Sequence, residues 1–188
     1  MDKKRCDWCL GHDIYVQYHD EHWGVPRYDD KTLFEFLSLE GAQAGLNWLT
    51  VLQKQDGYRK AFAEWDVQKV ARFTEKKILK TLENPKIIRN KLKVRSTVTN
   101  AQAYIKIQNE YGSFSEYFWG LAGGKPIINT WKKNSQVPAT TPLSDKISKQ
   151  FKKDGFKFVG STIVYAYMQS MGLVNDHITS CFRYKELA

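Results

Sequence analysis

The stretch from Leu33 to Trp48 places one acidic side chain at the end of a strongly apolar run. The apolar residues of that run recur at helical spacing: Leu33, Phe34, Phe36, Leu37 and Leu39. Glu40 follows them directly. A carboxylate among large apolar groups is costly unless it is paired, protonated or used on a ligand. A lone glutamate at a helix end ordinarily faces water, and the aromatic residues described below favour the alternative of a buried functional carboxylate at Glu40.

Helical periodicity dominates the rest of the chain, and few stretches alternate with period two. Asp29 and Asp30 are candidate caps for a helix over 31–40, and a second helix is expected from about 46 to 55, stopped near Gly57. Ser144 is expected to cap a basic helix. A helix that begins at Ser161 is apolar on nearly every side and should lie at the centre of the fold. We predict an all-α chain, 1–188, forming a single domain of two packed lobes, with a long loop over 122–142.

The charge balance favours a polyanionic partner. The chain has 29 basic and 20 acidic residues, a formal net charge of +9, which suits nucleic acid but also describes a merely basic soluble protein. Its apolar runs are shorter than a membrane span, and its start has no apolar segment typical of a signal peptide. We therefore expect a cytoplasmic protein with no membrane partner.

Cysteine and histidine residues are concentrated near the two ends of the chain. Cys6 and Cys9 form a C-x2-C pair, and His177 and Cys181 form an H-x3-C pair. Zn²⁺ prefers four such ligands in a tetrahedron, and a full set would make the site a structural clasp. The spacing leaves two sets open: Cys6, His177 and Cys181 with either His19 or Cys9. Ordinary core residues, or a catalytic metal served by Asp176, Asp20 or Glu21, are the alternatives.

A helix break near Pro85 is followed by a cluster of cations without an acidic residue. The cluster comprises Lys86, Arg89, Lys91, Lys93 and Arg95. A helix begins at this point, and a helix N-terminus beside cations is suited to bind phosphate. We predict a helical hairpin near 83–93 that contacts the DNA backbone through Lys86, Arg89, Lys91 and Lys93. A solvated basic face is the alternative.

Several aromatic residues lie near Cys6, His19 and Glu40 in the sequence: Trp8, Tyr15, Tyr18, Trp23 and Trp48. Aromatic rings beside a buried carboxylate can hold a flat cationic ring between them. The alternative is that these rings are simply part of the core.

Four motifs give the chain a specific resemblance. They are the stretches 18–26 (YHDEHWGVP), 39–48 (LEGAQAGLNW), 155–160 (GFKFVG) and 172–177 (GLVNDH). In this order, and over nearly the whole chain from Cys6 to Cys181, they resemble the 3-methyladenine DNA glycosylase I family. That resemblance implies a helix-hairpin-helix DNA glycosylase fold with a zinc clasp joining the N- and C-terminal segments.

The resemblance also implies roles for particular residues. It implies one structural Zn²⁺ per chain, with the ligands Cys6, His19, His177 and Cys181. It implies a base pocket of Trp8, Tyr15, Tyr18, Trp23, Glu40 and Trp48, with Glu40 as the catalytic residue. It implies that Gly45 and Leu46 fill the gap in the duplex and that the hairpin corresponds to 84–90. Cys9 is an extra thiol, and the hairpin lacks the Gly-x-Gly of the wider superfamily.

The activity implied by the resemblance is DNA repair by excision of 3-methyladenine from alkylated double-stranded DNA. We expect the protein to act as a monomer. Asp66 and Asp145 have no aspartate between them, although the wider superfamily carries its catalytic aspartate in the corresponding region, after the hairpin. Two other functions remain as alternatives. One is a non-catalytic DNA-binding module stabilised by zinc, and the other is a zinc hydrolase.

Overall fold

The computed structural model describes residues 3–188, which are predominantly helical, as predicted. The first two residues, which belong to the predicted domain and to the start considered for a signal peptide, lie outside the described part. Within that part there are eleven α-helices and a two-stranded parallel sheet. The helices are α1 (Asp13–Glu21), α2 (Asp30–Gln43), α3 (Trp48–Leu52), α4 (Gln55–Ala61), α5 (Val67–Val70), α6 (Glu75–Leu82), α7 (Lys91–Tyr111), α8 (Phe114–Leu121), α9 (Pro142–Lys153), α10 (Ser161–Ser170) and α11 (Phe182–Glu186).

Helix α2 forms the centre of the fold together with α10. Every residue of α2 from Leu33 to Ala42 is buried, and the helix packs against α10, α7, α3 and α8. Asp29 caps it, because its Oδ1 accepts a hydrogen bond from the Thr32 amide at 2.8 Å. Asp30 instead accepts hydrogen bonds from the first amides of α8, at Phe114 and Ser115. This carboxylate thereby joins the starts of two helices that are distant in sequence.

The predicted hairpin is present as α6, a turn and α7. Thr74 and Asn90 cap the two helices. Gly57 lies inside α4 and does not end a helix as predicted, since its role is close packing: a Cβ at this position would lie 2.1 Å from the carbonyl oxygen of Lys86. The segment predicted as one helix over 46–55 contains α3 and only the first residue of α4.

The long segment predicted as a loop contains more structure than expected. Its strand β1 (Ile127–Ile128) pairs in parallel with β2 (Val174–Asn175), with Ile127 opposite Val174. Thr141, and not Ser144, caps the basic helix α9, and Pro142 occupies its first turn. Across residues 3–188, no helix is both long enough and apolar enough to cross a membrane.

Candidate active site and metal cluster

A cavity of about 330 Å³ opens beside the end of α2, a size typical of small-molecule sites. Four of the predicted aromatic residues and Glu40 line it. The full lining is Trp8, Tyr18, Trp23, Glu40, Gln43, Trp48, Asn134, Val137, Ala166, Gln169 and Asp176. Helices α1, α2, α3 and α10 therefore contribute to one pocket, together with segments near both chain ends and the segment that contains Asn134 and Val137.

The aromatic rings hold one another at inclined angles. The ring centroids of Trp8 and Trp23 are 5.0 Å apart at an interplanar angle of 74°, and those of Tyr18 and Trp48 are 5.5 Å apart at 55°. The first pair is edge-to-face and the second is tilted, and inclined contacts between aromatic rings are favourable. The pocket consequently offers rigid π-surfaces to a flat ligand.

Glu40 is the acidic group that α2 brings to this pocket. Glu40 is only 3% exposed. Burial raises the pKa of the carboxyl to about 8, and the nearby hydroxyl of Ser170 offsets only part of that rise. Glu40 takes part in none of the ion pairs formed within residues 3–188. A cationic ligand would supply the counter-charge that the protein itself does not.

Asp176 is a second buried carboxylate of the pocket, and sequence analysis did not place it there. Its Oδ1 accepts hydrogen bonds from the Asn129 amide at 2.6 Å and the Trp131 indole at 2.7 Å. Its Oδ2 accepts from the Tyr165 hydroxyl at 2.6 Å and the Gln169 amide at 2.8 Å. Four donors satisfy this carboxylate, so it is held in place by neutral groups.

Tyr15 lies outside the pocket lining, although it was predicted to contact the base. Its ring packs edge-on against Trp8 at 5.9 Å, and its hydroxyl accepts a hydrogen bond from the Leu49 amide at 2.9 Å. It therefore supports two walls of the pocket, Trp8 and the start of α3. Six lining residues were not predicted: Gln43, Asn134, Val137, Ala166, Gln169 and Asp176. Gln43 lies within the motif 39–48, and Asp176 stands beside the predicted ligand His177. The other four belong to no motif that indicates a chemical role.

Gly45 and Leu46 form the turn between two residues of the pocket wall, Gln43 and Trp48. Gly45 has a φ of +75°, which favours glycine. Leu46 is 42% exposed and is one of seven exposed large hydrophobic residues in the described part of the chain. The predicted duplex-filling residues thus form an exposed apolar tip beside the pocket.

The hairpin presents three of its four predicted DNA-contacting cations to solvent: Lys86, Arg89 and Lys91 are exposed. Its turn is anchored from α4, where Lys54 Nζ donates to the Pro85 carbonyl at 2.9 Å and the Tyr58 hydroxyl accepts from the Ile88 amide at 3.2 Å. Lys93 differs. It is 9% exposed, and its ammonium donates to the carbonyls of Ala42 and Ala44. The contact of Lys93 with the DNA backbone stays a prediction, and two of the three donors of its ammonium are already used inside the protein.

Four buried residues form a cluster that could bind a metal: Cys6, His19, His177 and Cys181. Their candidate ligand atoms all lie within 4.8 Å of one another. Cys181 Sγ is 3.4 Å from His19 Nε2 and 3.5 Å from His177 Nδ1. Tetrahedral zinc ligands at ordinary bond lengths are separated by roughly 3.3–3.8 Å, so the cluster fits such an ion.

The surroundings of the cluster favour metal ligation as well. The remaining ring nitrogens of both histidines are engaged, His19 Nδ1 with Asp20 Oδ1 at 2.8 Å and His177 Nε2 with the Trp23 carbonyl at 3.1 Å. Such outer contacts fix the tautomers of ligating histidines. Hydrogen bonding between the two thiols lowers the pKa of Cys181 and raises that of Cys6, and the two histidines also lower that of Cys181. A thiolate is the form that binds metal.

Cys9 stands apart from this cluster. Its thiol donates to the Cys6 carbonyl at 3.1 Å, and burial raises its pKa to about 11. Of the two ligand sets that the spacing left open, the structure brings together the one with His19.

Comparison with known proteins agrees with this architecture. The family model for methyladenine glycosylase matches residues 8–184. The chain is 44% identical over 177 residues to the DNA-3-methyladenine glycosylase of Haemophilus influenzae, covering 94% of this chain and 96% of that protein. It is 41% identical over 181 residues to DNA-3-methyladenine glycosylase 1 of Escherichia coli K12, covering 96% and 97% of the two chains.

Solved structures match along nearly the whole chain. A crystal structure of 3-methyladenine DNA glycosylase I superposes with a TM-score of 0.93 at 44% identity, covering 95% of this chain and 98% of that one. The Staphylococcus aureus 3-methyladenine DNA glycosylase I, studied for its recognition of 3-methyladenine, gives a TM-score of 0.92 at 36% identity and covers 95% of each chain. From the family model, the identities and the shared fold together, the chain belongs to the methyladenine glycosylase family.

Proposed function

We propose that this protein excises 3-methyladenine from alkylated double-stranded DNA by hydrolysing the N-glycosidic bond. The observation that carries the proposal is the Glu40 carboxylate, buried without an ion-pair partner in the wall of an aromatic pocket. Methylation at N3 gives adenine in DNA a positive charge, and a carboxylate and π-faces are the groups that attract a flat cation. Family membership supports the same activity.

Base recognition divides between the rings and the carboxylate. Trp48 and its neighbours stack on the extruded base, and the positive charge strengthens that contact. Glu40 accepts hydrogen bonds from the amino edge of adenine. The cation favours the ionised carboxylate, whose pKa burial has raised to about 8 in the free protein. Binding the charged base thus removes the penalty of an unpaired buried carboxylate.

The chemical step asks little of an acid catalyst. The methylated base leaves as a neutral molecule because its departure takes the bonding electron pair and cancels the positive charge. Water then adds to the sugar carbon and loses a proton, which leaves an abasic site. Glu40 is accordingly proposed to hold and select the base, and no side chain has to protonate a poor leaving group.

DNA engagement is proposed for the hairpin and the turn beside the pocket. Lys86, Arg89 and Lys91 are exposed at the start of α7, where amides and cations together suit a phosphate. Leu46 inserts into the stack as the damaged nucleotide leaves it, which lowers the cost of extrusion. We infer that the chain acts as a monomer with one folded domain.

The Cys/His cluster is proposed to hold one Zn²⁺ through Cys6, His19, His177 and Cys181. A metal with four protein ligands has no open position, so its contribution would be to stabilise the fold. The ligands come from the segment before α1, from α1 itself and from the segment before α11. A filled site would therefore join the two ends of the chain beside Trp23.

The decisive experiment measures the free bases released from methylated duplex DNA by chromatography with mass detection. Release of 3-methyladenine, with 7-methylguanine left in the DNA, is expected. Glu40→Gln should lose most of the release, about 10- to 100-fold, because it removes charge-assisted hydrogen bonds to the bound base. Glu35→Gln is the matched control on the same helix, because Glu35 is buried but paired with Arg59 and Gln55 away from the pocket.

Two other outcomes would overturn the proposal. DNA binding without any released base would identify a non-catalytic binding module. A chelator that abolishes turnover before the protein unfolds would indicate a catalytic metal and revive the zinc hydrolase.

A further inference from the structure

Lys93 is a buried cation that the proposed mechanism does not use. It lies in the first turn of α7, the second helix of the hairpin, and is only 9% exposed. Its Nζ donates to the Ala42 carbonyl at 2.7 Å and to the Ala44 carbonyl at 2.6 Å. Two charge-assisted hydrogen bonds therefore connect residues about 50 positions apart in the chain.

The two carbonyls belong to the end of α2, where the backbone lacks helical partners. Helix α2 ends at Gln43 with Ala44 as its cap, and the last carbonyls of a helix need other donors. The next residues are Gly45, at positive φ, and the exposed Leu46. The ammonium of Lys93 thus holds the chain two residues before the exposed apolar tip.

We propose that Lys93 is a positioning residue that fixes the turn carrying Leu46 relative to the hairpin. This inference rests on the proposed function. The hairpin cations Lys86, Arg89 and Lys91 grip the phosphates, and Lys93 connects the start of the same helix to the turn that enters the stack. The hydrogen bonds of Lys93 then fix the distance between the phosphate-binding cations of the hairpin and the inserting side chain of Leu46.

The two hydrogen bonds of Lys93 predict that its loss affects DNA binding and excision differently from the loss of an exposed lysine nearby. An ammonium has three donors, and carbonyls take two of them here. Loss of Lys93 should leave the salt dependence of DNA binding unchanged, since the charge does not replace counterions on the phosphates. It should impair the step in which the base leaves the helix, and it should spare the pocket, which Lys93 does not line.

The test compares Lys93→Met, which keeps the apolar stem, with Lys91→Met, which removes an exposed cation from the same turn. The substrate is a DNA strand that is methylated while it is part of a duplex. Excision is then measured on two forms, the strand annealed to its complement and the strand alone. In the single strand, the base does not have to be removed from a double helix. Lys93→Met should lower duplex excision about tenfold relative to single-strand excision. Lys91→Met should weaken binding and reduce the salt slope, with the duplex to single-strand ratio kept.

A double-mutant cycle distinguishes positioning from a general loss of stability. If Lys93 acts through Leu46, then Lys93→Met should reduce duplex excision in the wild-type background but add little in a Leu46→Ala background. Additive losses would overturn the inference, as would equal losses on the two forms of the substrate. If Lys93→Met does not fold, Lys93→Gln, which keeps an N–H donor, is carried through the same cycle under the same criteria. Failure of the wild type to release any base would instead overturn the proposed function itself.

Discussion

The hydroxyl of Tyr15 accepts a hydrogen bond from the backbone amide of Leu49 at 2.9 Å. That amide lies in the first turn of α3, where backbone donors have no helical acceptor, and Trp48 begins the same helix. Tyr15 therefore helps to fix the tryptophan that forms one wall of the pocket, and it does so from outside the lining.

Tyr15→Phe tests this supporting role. The variant keeps the ring against Trp8 but leaves the Leu49 amide without its acceptor, which should lower the free energy of unfolding by about 1 kcal/mol. Excision should fall a few-fold because Trp48 is less well held. Denaturant unfolding and single-turnover excision measure the two effects. Reduced affinity for free 3-methyladenine at unchanged stability would show instead that Tyr15 contacts the base directly.

The pH dependence of stability should carry the signature of Glu40. Burial raises the pKa of its carboxyl from 4.5 to about 8, so the folded state favours the protonated form. The resulting stability is fully present below the unfolded pKa and is lost as the pH rises through the folded pKa. Glu40→Gln lacks this loss. Its free energy of unfolding relative to the wild type should therefore rise by a few kcal/mol between about pH 5 and about pH 8.

Denaturant unfolding of both proteins at these two pH values makes the measurement, and titrations elsewhere in the chain cancel in the difference. Glu35→Gln supplies the control, because Glu35 is a buried carboxylate of the same helix that is paired with Arg59 and Gln55. A constant difference between Glu40→Gln and wild type would mean that the Glu40 carboxyl is ionised throughout the range.

Local signals were sufficient for the elements that organise this fold. The apolar spacing of 33–39 and the cap at Asp29 predicted α2, and Glu40 at the end of its apolar run proved to be buried in the pocket wall. The hairpin followed from a helix break and a restart. These features depend on neighbours within a few residues, which the sequence shows directly.

The errors arose where a residue's role depends on a distant part of the chain. Gly57 was predicted to end a helix, but it lies inside α4. A glycine is needed there because the Lys86 carbonyl approaches too closely for a side chain. The charge of Lys93 suggested a phosphate contact, and the sequence did not show that its ammonium donates to the carbonyls of Ala42 and Ala44. Asn134 reaches the pocket from a segment with no periodicity at all. A sequence shows the charge and type of each residue, but the direction in which a side chain points depends on the tertiary structure.

The metal cluster makes a prediction about Cys181 and Cys9 that separates two buried thiols. If the proposed zinc site is correct, Cys181→Ser should lower the zinc content and the melting temperature together, because three ligands would bind the metal more weakly and metal binding would then stabilise the fold less. Cys9→Ser is the matched control. A serine hydroxyl can still donate to the Cys6 carbonyl, so zinc should remain at one per chain. Metal analysis by mass spectrometry and thermal unfolding provide the data, and full zinc occupancy in Cys181→Ser would refute the proposed ligand set.

The hairpin yields a prediction about salt. Lys86→Ala and Arg89→Ala each remove an exposed cation, so each should weaken binding to undamaged duplex of any sequence and reduce the slope of log affinity against log salt by about 1. The fold should be unaffected, since the turn is held by Lys54 and Tyr58 through backbone atoms that both variants keep. Fluorescence anisotropy across a range of salt concentrations measures the slope. Slopes equal to the wild type in both variants would place the DNA backbone elsewhere, because a cation that releases no counterions makes no phosphate contact.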